Sequence, residues 1–377
     1  MKTAIGIDVH KEKCAAFAVF AGNGEPRPRQ TAFLERFNRD FNRFPADARG
    51  MTELAGRLAG HEAEVLIENS TKSHDVYWML TGLGLKVTVA HATDLYLITK
   101  AADKNDTNDG EKLAGYMRRR MMGEREFAVS HIPSRATLLL RELCRFDLND
   151  RSELTVLKCQ LQAHLLVRGW KLTRTYRDIT AAAALRELKA TGDYIFLLDV
   201  QKAEGLKQRI VMTEKLLRQL LGDSRMFEIV WSIPGVGVLT AAYVTCMIDD
   251  LARFPDARAF AAATGLIPMQ RESADRPKEC PISRRGDADL RRLLCQAAFV
   301  HVMNEESFIT EKYRRLRAGG KKYKETLVAC ANSLARLIWT LVREDRKYVS
   351  DPQVLAAARA AAESDVLEDE MEAQLSE

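Results

Sequence analysis

The sequence predicts an α/β domain followed by helical regions, on three observations. Short apolar runs such as Ile5-Gly6-Ile7 and Val65-Leu66-Ile67 are bounded by polar residues and read as buried strands. From about residue 133 onward, leucines recur at steps of three and four, the period of a helix. At 377 residues the chain exceeds what one ordinary core organises, and its 46% apolar fraction suffices for more than one.

Taken in order, Thr3 to Val9 and Cys14 to Phe20 are two strands close enough to form a hairpin, and Thr31 to Leu34 is expected as a third. A helix over Ala46 to Leu58 leads to a strand over Glu64 to Ile67, then a helix over His74 to Leu83 and a strand over Lys86 to Ala90. Helices from Asp94 and from Thr107 to Met121 complete this region, residues 1–130. The order β-β-β-α-β-α-β-α is that of an RNase H-like domain, in which acids ending the first and fourth strands lie side by side.

Residues 131–225 read as helical. Leu154, Leu157, Leu161 and Leu165, and then Leu206, Ile210, Leu217 and Leu220, mark two long helices around a weaker Thr173 to Tyr194 stretch. An antiparallel hairpin or coiled-coil arm fits this pattern, and so do ordinary bundle helices. Residues 226–350 form a further helical segment, and residues 351–377 turn alanine-rich and then acidic, which reads as a disordered tail.

Four carboxylates carry the most chemical information. Asp8 and Glu68 each end an apolar run, and desolvating an acid there costs on the order of several kcal/mol unless it gains a partner. Asp106 and Asp109, three apart, share one face of a helix. Together they would make an oxygen-rich pocket suited to a hard divalent cation, although each alone also reads as a solvated or capping residue.

The formal net charge of +5 hides an asymmetry. Glu363 to Glu377 holds seven acids and no lysine or arginine, so removing those seven charges leaves the rest at +12. A basic body fits a polyanionic partner or simple solubility. Basic clusters occur at Arg284-Arg285, Arg291-Arg292, Arg314-Arg315-Arg317 and Lys321-Lys322-Lys324. Upstream, Pro234-Gly235-Val236-Gly237 leads into an apolar helix and is helix-hairpin-helix-like. Gly235 and Gly237 would let backbone N–H groups approach a phosphate, with a plain structural turn as the alternative. Ser273, in a polar loop, reads by itself as a turn residue, because a serine hydroxyl needs a base or a metal to become reactive.

Seven scattered cysteines without a Cys-x-x-Cys pair argue for reduced thiols and against a zinc site. The histidines form no ligand pair, and His10 stands out only for following Asp8 by two residues. No signal-peptide pattern and no membrane-spanning run is expected, which places the protein in the cytoplasm.

With these residues in view, the chain resembles the DEDD transposases, the insertion-sequence recombinase family that includes pilin-gene invertases and bridge-RNA-guided recombinases. Gly6-Ile7-Asp8-Val9-His10-Lys11, Ile67-Glu68 and Asp106-Thr107-Asn108-Asp109 resemble its N-terminal half. Ser232-Ile233-Pro234-Gly235-Val236-Gly237, Ala261 to Pro268, Arg271-Glu272-Ser273 and Ile282 to Asp287 resemble its transposase domain. The resemblance implies a RuvC-like first domain in which Asp8, Glu68, Asp106 and Asp109 bind Mg²⁺, with Mn²⁺ as a substitute. It implies Ser273 as the nucleophile of a covalent phosphoserine–DNA link, although Ala274-Asp275-Arg276-Pro277 follows where the family usually has small residues.

The same resemblance implies dimers pairing into tetramers, donor and target DNA as substrates, a structured noncoding guide RNA, and a nucleoid-associated prokaryotic setting. Gly235, Gly237, Arg284, Arg285, Arg291, Arg292, Lys321 and Lys322 are the expected nucleic-acid contacts. A RuvC-like structure-selective nuclease such as a junction resolvase, or a non-catalytic nucleic-acid-binding protein, would share the acids without the serine chemistry.

Overall fold

The structure is a computed structural model that describes residues 1–91, 106–124, 129–267 and 286–350. The expected helix from Asp94, the loop carrying Ser273, Arg284 and Arg285, and the acidic tail lie outside the described residues. Two compact units emerge, Met1–Pro133 and Ser134–Glu377.

The first unit is a five-stranded sheet in the order β3-β2-β1-β4-β5. β1 (Lys2–Val9) and β2 (Lys13–Phe20) form the expected antiparallel hairpin. α1 (Pro28–Asp40) follows. The strand expected over Thr31 to Leu34 is therefore a correction, since those residues lie inside this helix. Pro28 at its first position presets a helical φ, and the Gln30 side chain accepts from the Arg27 N–H at 2.7 Å. Phe33, Phe37 and Phe41, spaced by four, then pack their rings in sequence along one side of the helix. The third strand is the two-residue β3 (Phe44–Pro45), so Glu68 still ends the fourth.

α2 (Ala48–Arg57) is capped by Asp47, which accepts from the Gly50 N–H at 2.9 Å. β4 (Glu62–Glu68), α3 (Ser73–Gly82), β5 (Lys86–Ala90) and α4 (Asp106–Met121) complete the unit. β1, β4 and β5 run parallel, with Ile7 paired to Ile67. Alternation along the strands divides the side chains between two layers. Ile5, Ile7, Val65 and Ile67 pack with Phe37, Met51, Leu54 and Leu80 on one side. Ala4 and Leu66 pack with Leu113 and Met117 of α4 on the other.

In the second unit, α5 (Arg135–Val167) and α7 (Tyr194–Leu221) run antiparallel, with α6 (Ala182–Ala190) inside the stretch that looked weak in sequence. Their seam buries Leu154, Leu157, Leu161, Phe196, Val200 and Leu206. Leu220, expected on that seam, is 55% exposed, while Leu217 and Leu221 of the same helix are buried. Cross-helix ion pairs, including Asp150–Arg209 at 2.8 Å and Asp193–Arg168 at 2.8 Å, fix the antiparallel register.

The remaining helices are α8 (Arg225–Trp231), α9 (Val238–Ile248), α10 (Ala257–Ala263), α11 (Ala288–Asn304), α12 (Phe308–Ala318) and α13 (Tyr323–Arg343). They share one core with Cys144 and Leu148 of α5 and Leu217 and Leu221 of α7. No described helix is long and apolar enough to cross a membrane.

Candidate functional site

Strand periodicity places the first two acids. Asp8 is two residues beyond Gly6 and Glu68 two beyond Leu66, so both belong to the face covered by α4. The parallel register sets Ile7 opposite Ile67, one residue before each acid. On α4, Asp109 precedes Leu113 by four and so lies on the helix face that meets the sheet. Glycine makes this approach possible. A Cβ built on Gly6 would stand 2.3 Å from the Ala114 backbone nitrogen, a distance no side chain tolerates.

Charge coupling links three of these carboxylates. The Glu68 carboxyl is pushed above the usual range, first by desolvation and then by the negative charges of Asp8 and Asp109. Asp8 is 18% exposed in its side chain and meets the His10 Nε2 at 3.1 Å. His10, the histidine that stood out in sequence for following Asp8 by two, is thus a direct partner of that acid. Lys112 donates to Asp109 Oδ1 at 3.1 Å, an i,i+3 pair legible in the spacing. The side chain of Asp106 lies outside the described residues, although its backbone opens α4.

Among the described residues, no three acid, histidine or cysteine side chains are gathered as ligands around one point. The donor chemistry nevertheless fits a hard divalent cation. Oxygen donors predominate, and their mutual repulsion at Glu68 is what such a cation would relieve. Asp8, Glu68 and Asp109 are the residues that would hold it.

The expected nucleic-acid contacts lie in the second unit. Gly235 adopts φ +89°, and a Cβ there would stand 2.6 Å from both the Ala297 carbonyl oxygen and the His301 backbone nitrogen, so this glycine packs the turn onto α11. His301 braces the same turn, donating from Nδ1 to the Pro234 carbonyl at 2.8 Å while Nε2 accepts from the Ser307 hydroxyl at 2.8 Å. Gly237 is exposed and caps α9, where a substituent would meet open space. Arg291 donates to the Gly286 carbonyl at 3.0 Å, Arg292 to Asp289 at 3.3 Å, and Lys322 pairs with Glu325 at 3.8 Å. Lys321 is exposed and forms no ion pair among the described residues. Ser273, Arg284 and Arg285 lie outside the described residues.

Comparison with known proteins is consistent along the chain. Residues 5–167 match a transposase family of the DEDD, IS110 type, and residues 228–314 match the transposase family IS116/IS110/IS902. The chain is 30% identical to the transposase for insertion sequence element IS1328 of Yersinia enterocolitica, over 49% of this chain and 57% of that protein. It is 25% identical to the transposase for insertion sequence element IS1111A of Coxiella burnetii, over 75% of this chain and 79% of that protein. An uncharacterized 44.8 kDa protein of insertion element IS116 from Streptomyces clavuligerus is 22% identical over 83% of this chain and 94% of its own length. A sheet carrying paired acids under one helix, followed by a helical region that matches separately, is therefore no isolated coincidence: the chain carries both transposase domains of the IS110/IS116/IS902 insertion-sequence family.

Proposed function

We propose that the protein is a divalent-metal-dependent DNA transposase that exchanges strands through a serine-linked intermediate and is guided by a noncoding RNA. The observation that carries this reading is the convergence of Asp8, Glu68 and Asp109 on one face of the sheet, with Glu68 electrostatically coupled to the other two. These residues would hold Mg²⁺, with Mn²⁺ as a substitute. When bound, such a cation neutralises the phosphodiester and activates the attacking oxygen.

Ser273 is the nucleophile in this reading. Its hydroxyl oxygen bonds to a backbone phosphorus, the bond from that phosphorus to a sugar oxygen breaks, and the freed sugar leaves as a hydroxyl with the proton. The phosphoserine ester keeps the exchange reversible without an external energy source. Donor and target DNA are the substrates, and the exposed cations of the second unit serve as backbone contacts. Dimers pairing into tetramers would let a serine from one subunit reach the acids of another, in the cytoplasm at the nucleoid.

The deciding experiment incubates labelled donor DNA and guide RNA with the protein and Mg²⁺, then resolves products on a denaturing gel. A protein–DNA adduct that disappears with EDTA and with Ser273→Ala supports the reading. Hydrolysed ends without any adduct would replace it with nuclease chemistry.

A further inference from the structure

Lys312 of α12 occupies an unusual place for a lysine. Its ammonium group reaches across to α13, where Nζ donates to the Ser333 hydroxyl at 2.8 Å. Ser333 is 8% exposed and donates its own O–H to the Ala329 carbonyl at 3.3 Å. Spacing builds a positive seam around this bond. Arg315 follows Lys312 by three on α12, Arg336 follows Ser333 by three on α13, and Lys321 lies in the turn between the helices. That turn is itself fixed, the Lys321 N–H donating to the Leu316 carbonyl at 3.1 Å and Arg317 to the Lys321 carbonyl at 2.7 Å.

Two neighbouring basic residues are paired with acids, unlike this group. Arg314 forms a two-pronged pair with Glu306 at 2.6 and 2.7 Å, and Lys322 pairs with Glu325. Lys312 forms no ion pair among the described residues, and the groups acting on its charge are Cys330, Arg336, Arg315 and Lys321, none of them a carboxylate. Burial and these cations together hold its ammonium below the usual lysine range. A half-buried cation facing further cations is costly on its own, and it becomes favourable once an anion arrives.

We propose that Lys312, Arg315 and Lys321 form a binding site for a backbone phosphate of nucleic acid, with Ser333 orienting the lysine. The hydroxyl takes one of the three ammonium N–H groups and leaves two for phosphate oxygens. A group of cations of this density suits a polyanion better than a single carboxylate. The assignment of nucleic acid as the source of the phosphate rests on the proposed function, while the site itself does not.

The test uses the full chain with inorganic phosphate as a first probe. Without phosphate, Lys312→Met is expected to melt at or above the wild type, because it removes a disfavoured charge. Phosphate is expected to raise the melting temperature of the wild type and leave the variant unmoved. A variant that melts lower, or equal stabilisation of both proteins, overturns the site. The second variant, Arg315→Gln, is at an exposed position and tests the same site without touching the core. Its log K against log salt slope should be shallower by about 0.9 on duplex DNA or about 0.7 on single-stranded RNA, and the arm that changes names the source. Wild-type slopes on both, with covalent adduct formation intact, overturn this site alone. Phosphate stabilisation in a chain that binds no nucleic acid overturns the ligand assigned and the nucleic-acid part of the proposed function together.

Discussion

Gly6 of β1 and Gly110 of α4 meet backbone to backbone: a Cβ on Gly6 would stand 2.2 Å from the Gly110 carbonyl oxygen. This contact seats the helix that carries Asp109 directly over the strand that carries Asp8. Gly6→Ala should push α4 off the sheet, destabilise the first unit by about 1–3 kcal/mol, and weaken divalent-cation binding. Chemical denaturation followed by cation titration of the folded variant checks both effects, and native behaviour in both would show that α4 need not sit so close.

The acids themselves should matter for chemistry more than for folding. Asp8→Asn, Glu68→Gln and Asp109→Asn should each lower DNA cleavage by about 100-fold or more while nucleic-acid retention on a filter persists. Full cleavage by all three variants would remove the metal role from this face. Chelation should mimic the substitutions, with activity restored by added Mg²⁺.

Arg151 bridges α5 to α7 by donating to both Asp147 and Glu214. The Asp147 side chain is fully buried, and burial raises its carboxyl despite the guanidinium beside it. Arg151→Met strands that carboxylate and should cost about 3–5 kcal/mol, read as a fall in the urea midpoint. Adding Asp147→Asn to that variant should recover part of the loss, which a purely steric role for the arginine would not allow.

His301 gives the second unit a pH dependence. Burial holds its ring below the ordinary 6.5, against the raising effects of the Pro234 carbonyl and Glu305. The folded state therefore favours the neutral ring, and the unfolded chain takes up the proton first as pH falls. Stability from this residue is complete above about 6.5 and declines as pH drops from there through the lower folded-state value. Melting curves from pH 7.5 to 5 should show this loss, and His301→Gln should flatten it. A wild-type curve that is level over the range would contradict the buried neutral ring.

Legibility followed the strength of local signals. β1, β2, β4 and β5 are dense apolar runs between polar breaks, and the expected bounds of Lys86 to Ala90 coincide with the strand observed. Thr31 to Leu34 misled because four apolar-leaning residues do not reveal their period. Pro28 at the first helical position and the Gln30 cap on the Arg27 N–H are the local features that start a helix there. α6 was masked by alanines, whose small side chains mark no face, although Leu185 and Leu188 bury there.

By itself the sequence singled out Asp8 and Glu68 as candidates for chemistry, because acids at strand ends are costly wherever they fold. It also set the order of a strand-bearing region followed by helical ones. Tertiary structure alone decided that Asp8, Glu68 and Asp109 share a face, because that depends on the Ile7–Ile67 register and on the close seating of α4 over Gly6. It likewise decided that Gly235 serves packing against α11, and that Lys312 confronts other cations while Arg314 does not. Side-chain type is written in the chain, whereas proximity between distant segments is set by backbone pairing and helix docking, which no local pattern records.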